Sequence, residues 1–97
     1  MKQNKITKSA RGEDCQIRIP GYCNFNPETT VLCHKNGGGA GMKSSDIHAA
    51  YGCSGCHDVI DGRIQTEFSQ DEIKVMFYEG IFRTQLILIK KGLINAE

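Results

Sequence analysis

Nine consecutive positions, Cys53-Ser-Gly-Cys56-His57-Asp-Val-Ile-Asp61, combine two thiols, an imidazole and a carboxylate, and Cys15-Gln-Ile-Arg-Ile-Pro-Gly-Tyr-Cys23 sets two more thiols at the ends of a turn. Cys-x-x-Cys is half of a tetrahedral zinc site, and Cys15 and Cys23 can supply the other half although seven residues separate them. Soft thiolates suit zinc, whose filled d shell imposes no geometry of its own. A merely buried thiol is the alternative for Cys15 or Cys23. Cys-x-x-Cys-His also matches c-type haem attachment, with Met42 or Met76 as distal ligand, but that reading requires export and leaves Cys15 and Cys23 unexplained. A thioredoxin-like redox pair lacks its βαβ surroundings.

His57 and Asp61 are four residues apart, so on a helix they share one face and can ligate one ion. A nitrogen and an oxygen donor suit a catalytic divalent ion with open positions better than a closed structural site. His34 stands at the end of a β-prone run, just before the glycine loop, where a base could face the same ion. The loop Gly37-Gly-Gly-Ala-Gly41-Met42-Lys43-Ser44 nearly spells a phosphate-binding P-loop, but Met42 separates the last glycine from Lys43. Too little chain remains for the parallel sheet that presents such a loop.

The elements that must position these groups are short. Ile17 to Ile19 reads as a strand entering the Pro20-Gly21 turn, and Glu28 to His34 as a second strand. Four of the seven residues from Lys35 to Gly41 are glycine, which marks a loop. Ser44 and Ser45 can cap a short helix over roughly Asp46 to Tyr51. Another helix begins within the Cys53–Cys56 knuckle and runs to Ile60 or Asp61, with Gly62 as its stop. Ser69-Gln-Asp-Glu72 is a capping box, and the spacing of Ile73, Phe77, Ile81 and Leu88, with Tyr78, Phe82, Leu86 and Ile89, predicts a long amphipathic helix over about 69–91. Its apolar arc is wide enough to cover a small core and leave a surplus for a homodimer or partner surface.

At 97 residues the chain allows one domain with a modest core, of the kind that relies on a metal or cross-links. Five cysteines are an odd count, which fits a four-ligand metal site with one spare thiol better than a closed disulfide framework. Without an apolar leader or spanning segment, the expectation is no membrane association and a reducing cytoplasm. The net charge of +1 excludes a polycation that coats nucleic acid, yet Lys2, Lys5, Lys8 and Arg11 precede the first acid, Glu13. Residues 1–11 therefore read as a flexible basic arm, and residues 12–97 as one domain with its core over 15–63.

The order Cys33-His34, glycine loop, Lys43-Ser-Ser-Asp46, Cys53-x-x-Cys56-His57-x-x-x-Asp61 resembles the HNH, or His-Me finger, endonucleases. More closely, CQIRIPGYCNFNPETT and HKNGGGAGMK look like the small YbcO-like family of lambdoid phages and prophages, and the loop is similar to that of the recombination nuclease Ref. The resemblance covers residues 9–65 and implies an α+β, zinc-stabilised ββα-metal fold with a C-terminal amphipathic helix. It implies DNA cleavage with His34 as general base, His57 and Asp61 on a catalytic Mg²⁺ or Mn²⁺ ion, and a structural Zn²⁺ on Cys15, Cys23, Cys53 and Cys56. Asp46 or His48 occupies the middle position of the motif and would orient His34 or join the metal shell. Lys35, Lys43 and Arg63 are candidates for backbone phosphates. The position before the base is often acidic in metal-binding members and is Cys33 here, so that ligand is either absent or replaced by a thiolate. Phage recombination proteins are the implied partners. The rival from another class is a non-catalytic zinc module that binds nucleic acid or such a protein.

Overall fold

The strand Ala49-Ala-Tyr-Gly52 lies at the centre of the molecule, with all four residues buried. In the computed structural model, which describes residues 5–34 and 48–94, this strand (β2, Ala49–Gly52) pairs antiparallel with β1 (Val31–His34). The register sets Val31 against Gly52 and His34 against Ala49. Alternation along each strand divides the interior in two. Cys33 and Ala50 join Cys15, Ile17, Ile19, Cys53, Cys56, Val59, Phe77 and Ile81 in one cluster. Leu32, Ala49 and Tyr51 join Ala10 and Leu88 in the other.

Residues 46–51 were expected to form a capped helix, but 49–51 belong to β2. Nothing in Ala-Ala-Tyr-Gly favours a strand locally; contacts from distant parts of the chain impose it. The backbone N–H of Tyr51 donates to Thr84 Oγ1 at 3.0 Å, and its carbonyl accepts from the Gln16 N–H at 2.7 Å. Small residues are needed for this packing. A Cβ on Gly52 would come within 2.7 Å of both Cys33 Sγ and Ile17 Cδ1.

The expected strand over Ile17–Ile19 is not regular either. Ile17 and Ile19 are buried and Arg18 is exposed, as alternation requires, but Arg18 adopts φ 59°. That bend lets the Ile19 N–H reach Cys56 Sγ at 3.4 Å, so sulfur coordination overrides the extended backbone. The turn that follows is as read: the Tyr22 N–H donates to the Ile19 carbonyl at 3.1 Å, with Gly21 at φ 82°.

Helix α2 (Ser54–Ile60) ends where Gly62 takes φ 78°. Helix α3 (Gln70–Lys90) carries both bonds of its capping box, Glu72 N–H to Ser69 Oγ at 3.1 Å and Ser69 N–H to Glu72 Oε1 at 2.8 Å. It lies across β2, and its Gly80 lets it approach the 15–19 segment so closely that a Cβ there would be 3.0 Å from Ile17 Cα. Val75, Phe82 and Leu86 remain exposed on its outer face. Among the described residues, no helix is long and apolar enough to cross a membrane.

The amino-terminal segment also departs from expectation. Lys5–Ser9 forms a short helix, α1, and Ala10 behind it is 1% exposed. Ser9 Oγ lies 2.7 Å from Tyr51 Oη, and Glu13, just beyond the segment read as a flexible arm, pairs with Lys91 at 2.7 Å.

Candidate metal centre and reactive face

The four cysteines singled out by spacing converge. Their sulfur atoms all lie within 4.8 Å of one another, with Cys15 and Cys56 3.6 Å apart and Cys23 and Cys53 3.7 Å apart. A tetrahedron with Zn–S bonds of about 2.3 Å has edges of about 3.8 Å, so the residues fit a zinc ion. None of the five cysteines is in a disulfide.

Local backbone builds this cluster. Cys53 caps α2 and its sulfur accepts from the Cys56 N–H at 3.4 Å and from the Asn24 N–H at 3.4 Å. With the Ile19 N–H on Cys56, three amides point at sulfur and favour the thiolate forms. The Cys56 thiol beside Cys15 holds Cys15 down to about 4, with backbone donors adding to the effect. Cys23 is pushed up to about 11, chiefly by burial. Cys56 is pushed up by the same Cys15 contact and by burial. One thiolate thus stands ready in the metal-free site, and a divalent ion would displace protons from the others.

Two supports escaped sequence reasoning. Asn24 ties the knuckle to α2, donating from Nδ2 to Ser54 Oγ at 2.8 Å while its Oδ1 accepts from the Asn26 N–H at 2.9 Å. Gly55 is required because a Cβ there would collide with the Tyr22 carbonyl. An Asn directly after Cys23 and a Gly inside Cys-x-x-Cys were the available signals.

The residues expected to be reactive follow directly from this scaffold. His57 is the residue after Cys56, and its Nε2 lies 3.2 Å from Asp61 Oδ2, so the two do share a helix face. Asp61 Oδ2 is also 3.1 Å from Arg63 Nη2, while Arg63 Nη1 reaches Asp58 Oδ1 at 3.0 Å. Arg63, expected on phosphate, therefore braces the two carboxylates at the end of α2. His34 is exposed at the end of β1, and exposed His48 directly precedes β2, which puts both at the same end of the sheet. Burial raises the Cys33 thiol, with the Cys15 and Asp61 charges adding to the effect. Asp46, Lys35 and Lys43 lie outside the described residues.

Cys33 stands where the sequence left either an absent ligand or a thiolate. It is 1% exposed, burial pushes its thiol up, and its sulfur lies against the carbonyls of Val31 at 3.8 Å and Gly52 at 4.0 Å. It packs in the core cluster with Ile17 and Ala50.

A structure described as that of a putative bacteriophage protein from Escherichia coli K-12 MG1655 superposes with a TM-score of 0.77 at 46% identity, covering 90% of this chain and 99% of that one. Two relatives, each named "Putative nuclease YbcO", come from Escherichia coli K12 and Enterobacteria phage 82. Each is 48% identical over 95 residues, spanning 94% of this chain and 97% of the relative. The profile of the family described as "Putative nuclease YbcO" matches residues 4–93, and the chain belongs to that family.

Proposed function

We propose that this protein is a metal-dependent endonuclease of the HNH type that hydrolyses phosphodiester bonds in DNA during phage recombination or DNA processing. The observation that carries the reading is the order of parts: an exposed His34 closes β1, β2 returns, and α2, pinned at Cys53 and Cys56, presents His57 and Asp61 on one face. The family name supports nuclease chemistry.

Hydrolysis needs an activated water, stabilisation of charge on phosphorus and help for the departing oxygen. Neutral His34 takes the proton from water as it attacks phosphorus. His57 and Asp61 would hold Mg²⁺ or Mn²⁺, which as a Lewis acid supplies stabilisation of charge on a phosphate oxygen and the leaving oxygen. Arg63 must release Asp61 for that role, and its guanidinium, 59% exposed, then becomes available to a phosphate. Asp46 or His48 orients His34, and Lys35 and Lys43 contact the backbone.

Plasmid nicking by metal-stripped protein resupplied with Mg²⁺ or Mn²⁺ tests the assignment. Wild type should nick, and His34→Ala and His57→Ala should not; equal activity in all three sinks it. One observation favours the second reading, a non-catalytic zinc module: Asp61 Oδ2 is already shared between His57 and Arg63. A wild type that binds DNA yet never nicks under either metal selects that reading. The exposed Val75, Phe82 and Leu86 of α3 support a second copy of the chain as the partner of that face, which sedimentation equilibrium would reveal as a dimer lost in Phe82→Glu.

A further inference from the structure

A cleft of about 370 Å³ opens between α1 and β1, away from the cysteine cluster, and is lined by Thr7, Lys8, Arg11, Thr30, Val31 and Leu32. We infer that this cleft binds a phosphate group of the nucleic-acid strand at a distance from the bond being cut, which deepens the nuclease reading and rests on it.

The lining contains two cations and no carboxylate. Lys8 and Arg11 are exposed, and neither is in an ion pair within the described residues. The acid that follows them in the chain, Glu13, is occupied by Lys91 at 2.7 Å. Independently, Thr30 is 4% exposed and its Oγ1 has no hydrogen-bond partner among the described residues. Buried hydroxyls are satisfied in nearly all folded proteins, and one left unpartnered on a residue that lines a cationic cleft points to an acceptor brought by a ligand. A phosphate oxygen is such an acceptor, and Lys8 and Arg11 supply the charge to match it.

Position in the fold gives the cleft its place on the substrate. Thr30 is extended and leads straight into β1, whose last residue is His34. Four extended residues span roughly 13 Å at about 3.3 Å each. A strand in duplex DNA rises about 3.4 Å per nucleotide while winding around the axis, so a straight reach of about 13 Å puts the cleft at a phosphate about two nucleotides from the one at His34.

The test measures affinity for a fluorescein-labelled DNA duplex by anisotropy over a salt series without added Mg²⁺ or Mn²⁺, alongside thermal melts with and without inorganic phosphate. The proteins are wild type, the double variant Lys8→Gln/Arg11→Gln, and Thr30→Val, which keeps the shape of the side chain. The double variant should lose about tenfold in affinity, and the slope of log K against log salt should fall in magnitude by about 0.9, the loss of one neutralised phosphate. Thr30→Val should raise Tm, because an unsatisfied hydroxyl is gone, while weakening duplex affinity several-fold. Wild-type affinity and slope in the double variant overturn the inference, as does a wild type that binds no duplex. Should inorganic phosphate raise Tm through Thr30 while every variant binds duplex equally, the cleft takes a free anion and the inference also fails. Plasmid nicking scores the nuclease reading separately: binding through the cleft with no nicking refutes the reactive face and leaves the cleft standing.

Discussion

The two ends of α2 are built on opposite principles. At its start, Cys53 and Cys56 are both 0% exposed and accept bonds from three backbone amides, so geometry is fixed by many short contacts. From its middle to just past its far end, half-exposed His57 and exposed Asp61 and Arg63 are held by side-chain contacts that a ligand can replace. Rigidity belongs to the sulfur end and exchangeable contacts to the other. Variants should therefore separate stability from chemistry according to which end they touch.

The largest effect should come from Cys56→Ser. Structural zinc in small peptides is worth about 10–16 kcal/mol, comparable to the whole stability of a domain, so the variant should lose its cooperative melt and its zinc in native mass spectrometry. The same end predicts pH dependence. Cys23 sits near 11 and Cys56 is also raised, so both are protonated in the metal-free protein at neutral pH, whereas Cys15 near 4 is not. Zinc affinity should therefore rise with pH from 6 to 8 by a factor of about 100 or more per unit, with proton release on binding seen by calorimetry in buffers of different ionisation enthalpy.

At the reactive end, His34→Ala and His57→Ala should lower the nicking rate by about 10²- to 10⁴-fold while leaving the melt within a few degrees of wild type. Unfolding of His57→Ala would erase the distinction between the two ends. Thr84 belongs to neither end: its hydroxyl accepts from the Tyr51 N–H at 3.0 Å and donates to the Gly80 carbonyl at 2.7 Å. Thr84→Val should cost about 1–3 kcal/mol in denaturant unfolding, because a central strand loses its partner on α3. The smallest effect should be that of Arg63→Gln, which frees Asp61 and should tighten Mn²⁺ binding a few-fold by calorimetry, with no change in zinc content.

Much of the sulfur end was legible in the sequence because thiol chemistry and spacing are local signals. The same holds for the Ser69–Glu72 cap and the Gly62 stop, where a short stretch carries its own hydrogen bonds. β2 was not legible: its identity depends on Thr84 and Gln16, far away in the chain, and Ala-Ala-Tyr-Gly has no period to announce it. Arg18 in the left-handed region was hidden for a similar reason, since only the closing of Ile19 onto Cys56 demands it. Burial of Ala10 behind α1 likewise depends on a core assembled by β1 and α3. His34 and His57 were visible as residue types, while the bracing of Asp61 by Arg63 needed the turn after Asp61 to be in place.

Helix α2 has seven residues, about half the length at which an isolated helix persists in water. Its hold on shape is borrowed from the cysteines at its first turn, so on the reading proposed here the spacing of His57 and Asp61 lasts only as long as that first turn is clamped. A newly made chain would be harmless to DNA until zinc reached it, and a chelator would disarm it without touching a single reactive side chain. The cysteine cluster would then act as a safety catch as well as a scaffold.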